Sequence, residues 1–147
     1  MSDSIFRSIQ IDAPLDKVWD ALTDYRQFGE WFRVDLKSPF VPGQPTTGTI
    51  MFRDRPMDFE FLVKAIEPKT YFAYRWHPYA VDPAIDYSGE EKTLVEFHLE
   101  PAGEGTKLSV TESGFDLIPE HRRAEALQMN GQGWAIQVER IRDYVEA

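Results

Sequence analysis

Residues 11–24 read IDAPLDKVWDALTD, and this stretch decides how the chain begins to fold. Pro14 suits the first position of a helix, where its missing N–H is not needed, and Asp16 places negative charge in the first turn. The apolar residues recur at helical spacing, which predicts one buried stripe: Leu15, Val18, Trp19 and Leu22. We expect this helix to end at Thr23-Asp24 and to follow directly on a strand from Ser4 to Ile11.

The middle of the chain predicts strands separated by short turns. A second short helix or a turn is expected from Tyr25 to Phe32, with a break at Gly29, and residues 37–48 have the prolines and glycines of a loop. Alternating apolar and polar residues predict the strands Thr49 to Arg53, Met57 to Ile66, Thr70 to His77, Thr93 to Glu100 and Thr106 to Ser113. The inward residues of two of these strands are expected to be Phe59, Phe61, Val63 and Ala65, and Phe72, Tyr74 and Trp76.

The last segment, from about Pro119 to Val145, predicts a long amphipathic helix. Its apolar seam is Leu127, Gly131, Trp134, Val138, Ile141 and Val145. A glycine inside a helix costs about 1 kcal/mol relative to alanine, so Gly131 and Gly133 need a reason. They indicate either close approach or empty space beside the sheet, or else a break between two helices at Met129 to Gly133.

Composition bounds the kind of protein. At 147 residues the chain is expected to form a single domain over residues 1–147, and 42% hydrophobic residues suffice for a packed core. A net charge of -9 argues against nucleic acid as a partner. The chain has no cysteine, no signal-like N-terminus and no apolar run long enough to span a membrane, so we expect a cytoplasmic location.

The order of these motifs resembles that of a known family. IDAP is followed by VWDALTD, then by Glu30-Trp31-Phe32 and a late Gly133-Trp134, as in the heat-shock-protein-ninety ATPase activator-homologue family. That family lies within the START and birch-pollen-allergen (SRPBCC) superfamily. The resemblance implies an α+β helix-grip fold, with a curved antiparallel sheet around a long C-terminal helix and two short helices after the first strand. It also implies an internal cavity for apolar molecules.

This cavity is expected between the sheet and the last helix and to bind a small hydrophobic or amphipathic ligand, including lipid. The predicted ligand-binding residues are Phe32, Phe59, Phe61, Phe72, Tyr74, Trp76, Phe97, Trp134 and Val138. Phe32 and the long connection Pro78 to Lys92 would frame the entrance. No cofactor and no catalytic residue is predicted, and the dispersed histidines His77, His98 and His121 give no metal-ligand spacing.

Two other functions stay open at this point. The superfamily's polyketide cyclases and aromatases suggest an enzyme, which would need an inward titratable residue such as Tyr74 or His77. Because side chains alternate along a strand, however, Arg75 and His77 are expected to face solvent, opposite Trp76. A chaperone-associated or homodimeric interaction domain would instead show an exposed apolar patch, on the outer face of the sheet or near Trp31.

Charged residues of both signs predict a solvated outer face for the last helix. They are Arg122, Arg123, Glu125, Glu139, Arg140, Arg142 and Asp143.

Overall fold

The computed structural model describes residues 4–82 and 84–147. The described strands are β1 Ile5–Ile11, β2 Asp35–Leu36, β3 Pro45–Phe52, β4 Arg55–Glu67, β5 Tyr71–Trp76, β6 Thr93–Ala102 and β7 Gly105–Ser113. The helices are α1 Leu15–Thr23, α2 Tyr25–Phe32 and α3 Glu120–Glu146, with a short 3-10 turn at Phe115–Leu117. The strands form one antiparallel sheet in the order β1-β7-β6-β5-β4-β3-β2. The α+β helix-grip prediction is confirmed.

Helices α1 and α2 form a hairpin against the end of α3. Asp24 ends α1 and caps α2, since its carboxylate accepts a hydrogen bond from the backbone N–H of Arg26 at 3.0 Å. Trp31 is 3% exposed and its Nε1 donates to the carbonyl of Ala21 at 2.8 Å. The second helix continues through Gly29, where a Cβ would lie 2.7 Å from the carbonyl oxygen of Val34. The predicted break at Gly29 is therefore wrong, because the glycine permits a close approach.

The predicted loop over residues 37–48 ends earlier than expected. β3 begins at Pro45, an allowed position because the first residue of a strand need not donate to the ladder. Gly48 lies inside this strand, and a Cβ there would come within 2.7 Å of the carbonyl oxygen of Asp35 and 2.9 Å of the Phe59 ring. This glycine marks the close approach of β2 to β3, not a loop.

A β-bulge in β4 changes which residues face inward. Val63 pairs with Tyr74, but the register shifts and Ala65 pairs with Ala73. Paired residues share a face, so Ala65 lies opposite the predicted face and Ile66, which pairs with Phe72, packs against the core in its place. The prediction for Ala65 is therefore wrong. Such bulges bend a strand and raise its twist, which helps the sheet curve around α3.

α3 is one continuous helix, so the predicted alternative of a break at Met129 to Gly133 is wrong. Its buried residues are Ala126, Gly131, Trp134, Val138, Ile141 and Val145, with Leu127 half-buried beside them. The guanidinium of Arg7 on β1 donates from Nη2 to the carbonyl of Gly131 at 3.1 Å. A Cβ at Gly133 would meet nothing within 4 Å. A Cβ at Gly131 would lie 3.5 Å from Nη2 of Arg7, an ordinary contact, so close approach does not explain this glycine, whereas Gly133 borders empty space.

Candidate ligand-binding site

A cavity of about 350 Å³ lies at one end of the sheet, between α3 and the connection from β5 to β6. Its size falls at the lower end of the range for small-molecule sites. It is lined by Phe32, Val34, Ile50, Phe52, Met57, Asp58, Phe59, Glu60, Trp76, His77, Tyr79, Ala80, Val81, Tyr87, Asn130, Gly133, Trp134 and Gln137. The wall is therefore mostly apolar, with aromatic rings as its largest group and five polar side chains: Asp58, Glu60, His77, Asn130 and Gln137.

Four of the predicted ligand-binding residues line this cavity: Phe32, Phe59, Trp76 and Trp134. Three of them form an aromatic corner. The ring centroid of Phe32 is 6.1 Å from that of Trp76 and 6.0 Å from that of Trp134, and the two indoles are 5.9 Å apart. This corner brings together one residue from α2, one from β5 and one from α3.

The other predicted ligand-binding residues lie in solid core. They are Phe61, Phe72, Tyr74 and Phe97, together with Val138, which is 6% exposed. The first four form what we call the packed floor. Phe61 stacks on Tyr74 at 4.2 Å, and Phe28 and Phe40 cover the floor from the helix side, at 5.8 Å from Phe61 and 4.9 Å from Phe72. None of these rings lines the cavity described above, which lies nearer the end of the sheet.

Tyr74 is not placed to orient a ligand or to move a proton. Its hydroxyl is buried and has no hydrogen-bond partner among the described residues. Burial, and secondarily the Glu112 carboxylate, raises the pKa of the Tyr74 hydroxyl well above its ordinary value. The ring therefore serves packing.

The most unusual polar group beside the cavity is Glu112 of β7, whose side chain is fully buried. Its carboxylate accepts hydrogen bonds from Trp76 Nε1 at 2.7 Å and Trp134 Nε1 at 2.8 Å. Asn130 Nδ2 donates to its two oxygens at 3.0 and 3.2 Å, and Thr93 Oγ1 donates to Oε2. A single side chain thus fixes three cavity-lining residues, from β5 and α3, in one arrangement.

Burial raises the pKa of the Glu112 carboxyl above its ordinary value, while the bonds donated by Thr93, Trp134, Trp76 and Asn130 oppose this shift. All of these donors are neutral, so none brings a full positive charge to offset the desolvation of the carboxylate. Glu112 was not among the residues predicted from the sequence. Its burial has a sequence signal, because the apolar residues Leu108 and Val110 alternate along the strand and the same period of two continues to Glu112.

His77 also lines the cavity, so its predicted solvent-facing position is wrong. The strand ends at Trp76, and the alternation of faces does not extend past that residue. The Nε2 of His77 lies 3.1 Å from the carbonyl oxygen of Glu90. Because a carbonyl only accepts, this contact requires a proton on Nε2.

Arg122 fastens the β5–β6 connection to the first turn of α3. Its guanidinium binds the Glu90 carboxylate at 2.6 and 2.9 Å and the carbonyl of Pro78 at 2.8 Å, and it lies 4.8 Å from the ring centre of Tyr87. The side chains of this ion pair are only 10% and 15% exposed. Arg122 is therefore not part of a solvated face, as the sequence suggested. We call these contacts the Arg122 strap.

Gln137 and Gly133 complete the helix side of the cavity. The Nε2 of Gln137 donates to the carbonyl of Phe32 at 3.4 Å, while its Oε1 is buried without a hydrogen-bond partner among the described residues. Gly133, one turn earlier, presents no side chain. The unpartnered polar atom on the helix side of the cavity, Oε1 of Gln137, is therefore a hydrogen-bond acceptor.

Within residues 4–82 and 84–147, no cluster of three or more histidine or acidic side chains could hold a metal ion. In the same part of the chain, none of the helices has the length and apolar character needed to cross a bilayer.

A helix-grip sheet with a cavity beside its C-terminal helix is the architecture of the START/SRPBCC class. Residues 12–146 match the family described as Activator of Hsp90 ATPase homolog 1-like protein, and the chain belongs to this family. The family resemblance noted in the sequence is therefore confirmed. No curated protein matches the sequence significantly.

Solved structures with the same fold include bacterial proteins. MLL2253 from Mesorhizobium loti is 27% identical, matching 97% of this chain and 96% of its own, with a TM-score of 0.76. DynU16, from the dynemicin biosynthetic locus, is 26% identical over 100% of this chain, with a TM-score of 0.74, but the match spans only 48% of DynU16. The Aha1 dimer from Colwellia psychrerythraea shares the fold. It is 20% identical, matching 97% of this chain and 96% of its own, with a TM-score of 0.72.

Proposed function

We propose that the protein binds a small hydrophobic or amphipathic molecule in the cavity beside α3. The observation that carries this proposal is the aromatic corner of Phe32, Trp76 and Trp134, which faces about 350 Å³ of space. Burial of apolar ligand surface contributes about 25 cal/mol per Å², before the costs of association.

Glu112 supports the same proposal, because it holds the two indoles and Asn130 in place before any ligand arrives. A wall that is already ordered loses little entropy when a ligand binds, which favours affinity. The origin of the structural neighbour DynU16, in a biosynthetic locus, is consistent with a role involving small molecules.

The test fills the cavity from Gly133. Gly133→Leu places a side chain where a Cβ meets nothing within 4 Å. It also removes a glycine from the helix interior, where glycine costs about 1 kcal/mol of stability relative to alanine. We expect this variant to remain as stable as the wild type while its affinity for the neutral probe N-phenyl-1-naphthylamine falls at least about tenfold. Isothermal titration calorimetry measures the affinity, and urea unfolding measures the stability.

Gln132→Leu is the matched control, since it adds the same side chain to an exposed position next to Gly133. It should bind the probe like the wild type. Equal binding by Gly133→Leu and the wild type would mean that the probe sits elsewhere, and the proposal would fail. Native mass spectra of gently purified protein would show a bound natural ligand and any homodimer.

The position of His77 favours one second candidate, an enzyme of the cyclase or aromatase kind. The imidazole of His77 lies at the cavity wall, and histidine is the side chain used most often for general acid–base catalysis. In D₂O, such an enzyme would place deuterium on the ligand recovered from the native protein, and His77→Gln would abolish this exchange without releasing the ligand. Retention of exchange by the variant would remove His77 from the chemistry.

The predicted interaction surface near Trp31 receives no such support, because Trp31 is buried and hydrogen-bonded inside the helix hairpin.

A further inference from the structure

The polar atoms around the cavity are unequally divided between donors and acceptors. The strongest donors of the wall, the indole N–H groups of Trp76 and Trp134 and the amide of Asn130, all point to Glu112. They are therefore already occupied. A ligand carboxylate entering the cavity would lose its hydration shell and find none of these donors free.

One acceptor on the wall, in contrast, has no partner. The buried Oε1 of Gln137 is without a hydrogen-bond partner among the described residues, and Nδ1 of His77 is a further acceptor in the tautomer whose Nε2 donates to Glu90. The hydroxyls of Tyr79 and Tyr87 can donate or accept, so they do not favour either kind of ligand.

The charges around the cavity point the same way. None of the described lining residues is lysine or arginine, whereas Asp58 and Glu60 border the cavity from β4 and Glu112 lies behind its indoles. Arg122, close behind Tyr87, is neutralised by Glu90 in the strap.

Two lysines lie in the shallow groove that Asp58 and Glu60 share with the cavity. They are Lys37 and Lys92. Lys37 forms an ion pair with Asp35, and the side chains of Lys37 and Asp35 are both well exposed. Solvent and salt therefore weaken the electric field of Lys37 inside the cavity.

We infer that the cavity selects amphipathic ligands that carry a protonated amine, and that it rejects those that carry a carboxylate. The inference rests on the proposed function, since it names the chemical class of the ligand for the same cavity. The ammonium would donate to Gln137 Oε1 and lie against the aromatic faces of the wall, where the π-electrons attract a cation. Glu112 would supply negative charge from behind the indoles, across a medium of low dielectric constant.

The test compares three ligands of nearly equal size at pH 7.5: 2-(2-naphthyl)ethylamine, 2-(2-naphthyl)ethanol and 2-naphthylacetate. Isothermal titration calorimetry should give an affinity for the amine at least about tenfold above that for the carboxylate, with the alcohol between, because one gained or lost polar contact has roughly this effect. If the carboxylate binds as tightly as the amine, the inference is overturned while the proposed function stands. If none of the three binds, both fall.

Gln137→Lys tests the role of the unpartnered acceptor. It places a cation on the wall and should reverse the order, so that 2-naphthylacetate binds more tightly than the amine, most clearly at low salt. Gln137→Leu is the control of similar size: it should weaken amine binding by up to about tenfold without strengthening carboxylate binding. Urea unfolding establishes that both variants are folded. An unchanged order of affinities in folded Gln137→Lys would contradict the inference.

Discussion

Phe59 and Phe61 lie two residues apart on the same face of β4, with ring centroids 4.9 Å apart, yet their surroundings differ. Phe61 is completely buried in the packed floor, whereas Phe59 is half-buried and lines the cavity. Both rings lie on the inner face of one sheet, and both regions contain further aromatic rings. The residue type of the wall therefore does not decide whether this end of the molecule is solid or hollow.

The difference comes from what covers each ring. Phe28 and Phe40 cover the packed floor, with centroids 5.8 and 6.3 Å from that of Phe61. Over the cavity, α3 presents Gly133, and the remaining cover is the connection held by the Arg122 strap. The packed floor is thus covered by two phenylalanine rings. The cavity is covered by a glycine and a loop, which leave the space above Phe59 open.

The largest effect that would sharpen this comparison is expected from Phe61→Ala. Truncation of a fully buried phenylalanine costs about 3–5 kcal/mol of unfolding free energy, because it leaves a void among rings that cannot collapse. The matched variant Phe59→Ala should lose less than about 2 kcal/mol, since its ring already borders open space. Urea unfolding measures both. Similar losses at the two positions would show that the cavity is closed in solution.

An intermediate effect is expected at Glu112, the residue that fixes the rings of the cavity. Glu112→Gln exchanges an accepting oxygen for an NH₂ group that cannot accept, so at least one donor loses its partner at a cost of about 1–3 kcal/mol. The fold should survive this change.

The stability advantage of the wild type over Glu112→Gln should depend on pH. Burial raises the folded-state pKa of Glu112, so the unfolded chain releases this proton first as the pH rises. The advantage is therefore largest below the ordinary glutamate pKa of about 4.3 and shrinks as the pH rises through the folded-state value. Urea unfolding at a series of pH values tests this, and an advantage that grows with pH would mean that the hydrogen bonds outweigh burial.

The smallest effect is expected at the strap. Arg122→Lys keeps the charge but cannot reproduce the forked contact with Glu90, and we expect a loss of about 1–2 kcal/mol for this little-exposed pair. Arg142→Lys is the control, because its pair with Asp143 is more exposed and its replacement should lower the unfolding temperature much less. Thermal unfolding compares them. Equal shifts would show that the strap does not hold the connection in solution.

Much of the fold could be predicted from the sequence, because its elements have local signals. The stripe of α1, the alternation along β5 and the seam of α3 each follow from spacing alone. The bulge in β4 and the close approaches at Gly29 and Gly48 could not be predicted, since they depend on the paths of other segments.

The site was only partly predictable for the same reason. An inward-facing ring is predicted from the alternation of side chains along a strand, and this pattern does not distinguish Phe59 from Phe61. Whether the space above such a ring is filled depends on Phe28 and Phe40, which are distant in sequence. The depth of the cavity along the sheet therefore needed the structure, and so did the placement of His77 just beyond the end of its strand.

The Arg122 strap also has a kinetic consequence. It joins the wall-forming connection to α3 through Glu90, the carbonyl of Pro78 and the ring of Tyr87, without itself lining the cavity. The connection can move away from α3 only when these contacts break, so their strength slows any such opening. The aromatic corner and the strap thus differ in kind: the corner is a fixed surface, and the strap sets how readily one wall of the cavity moves.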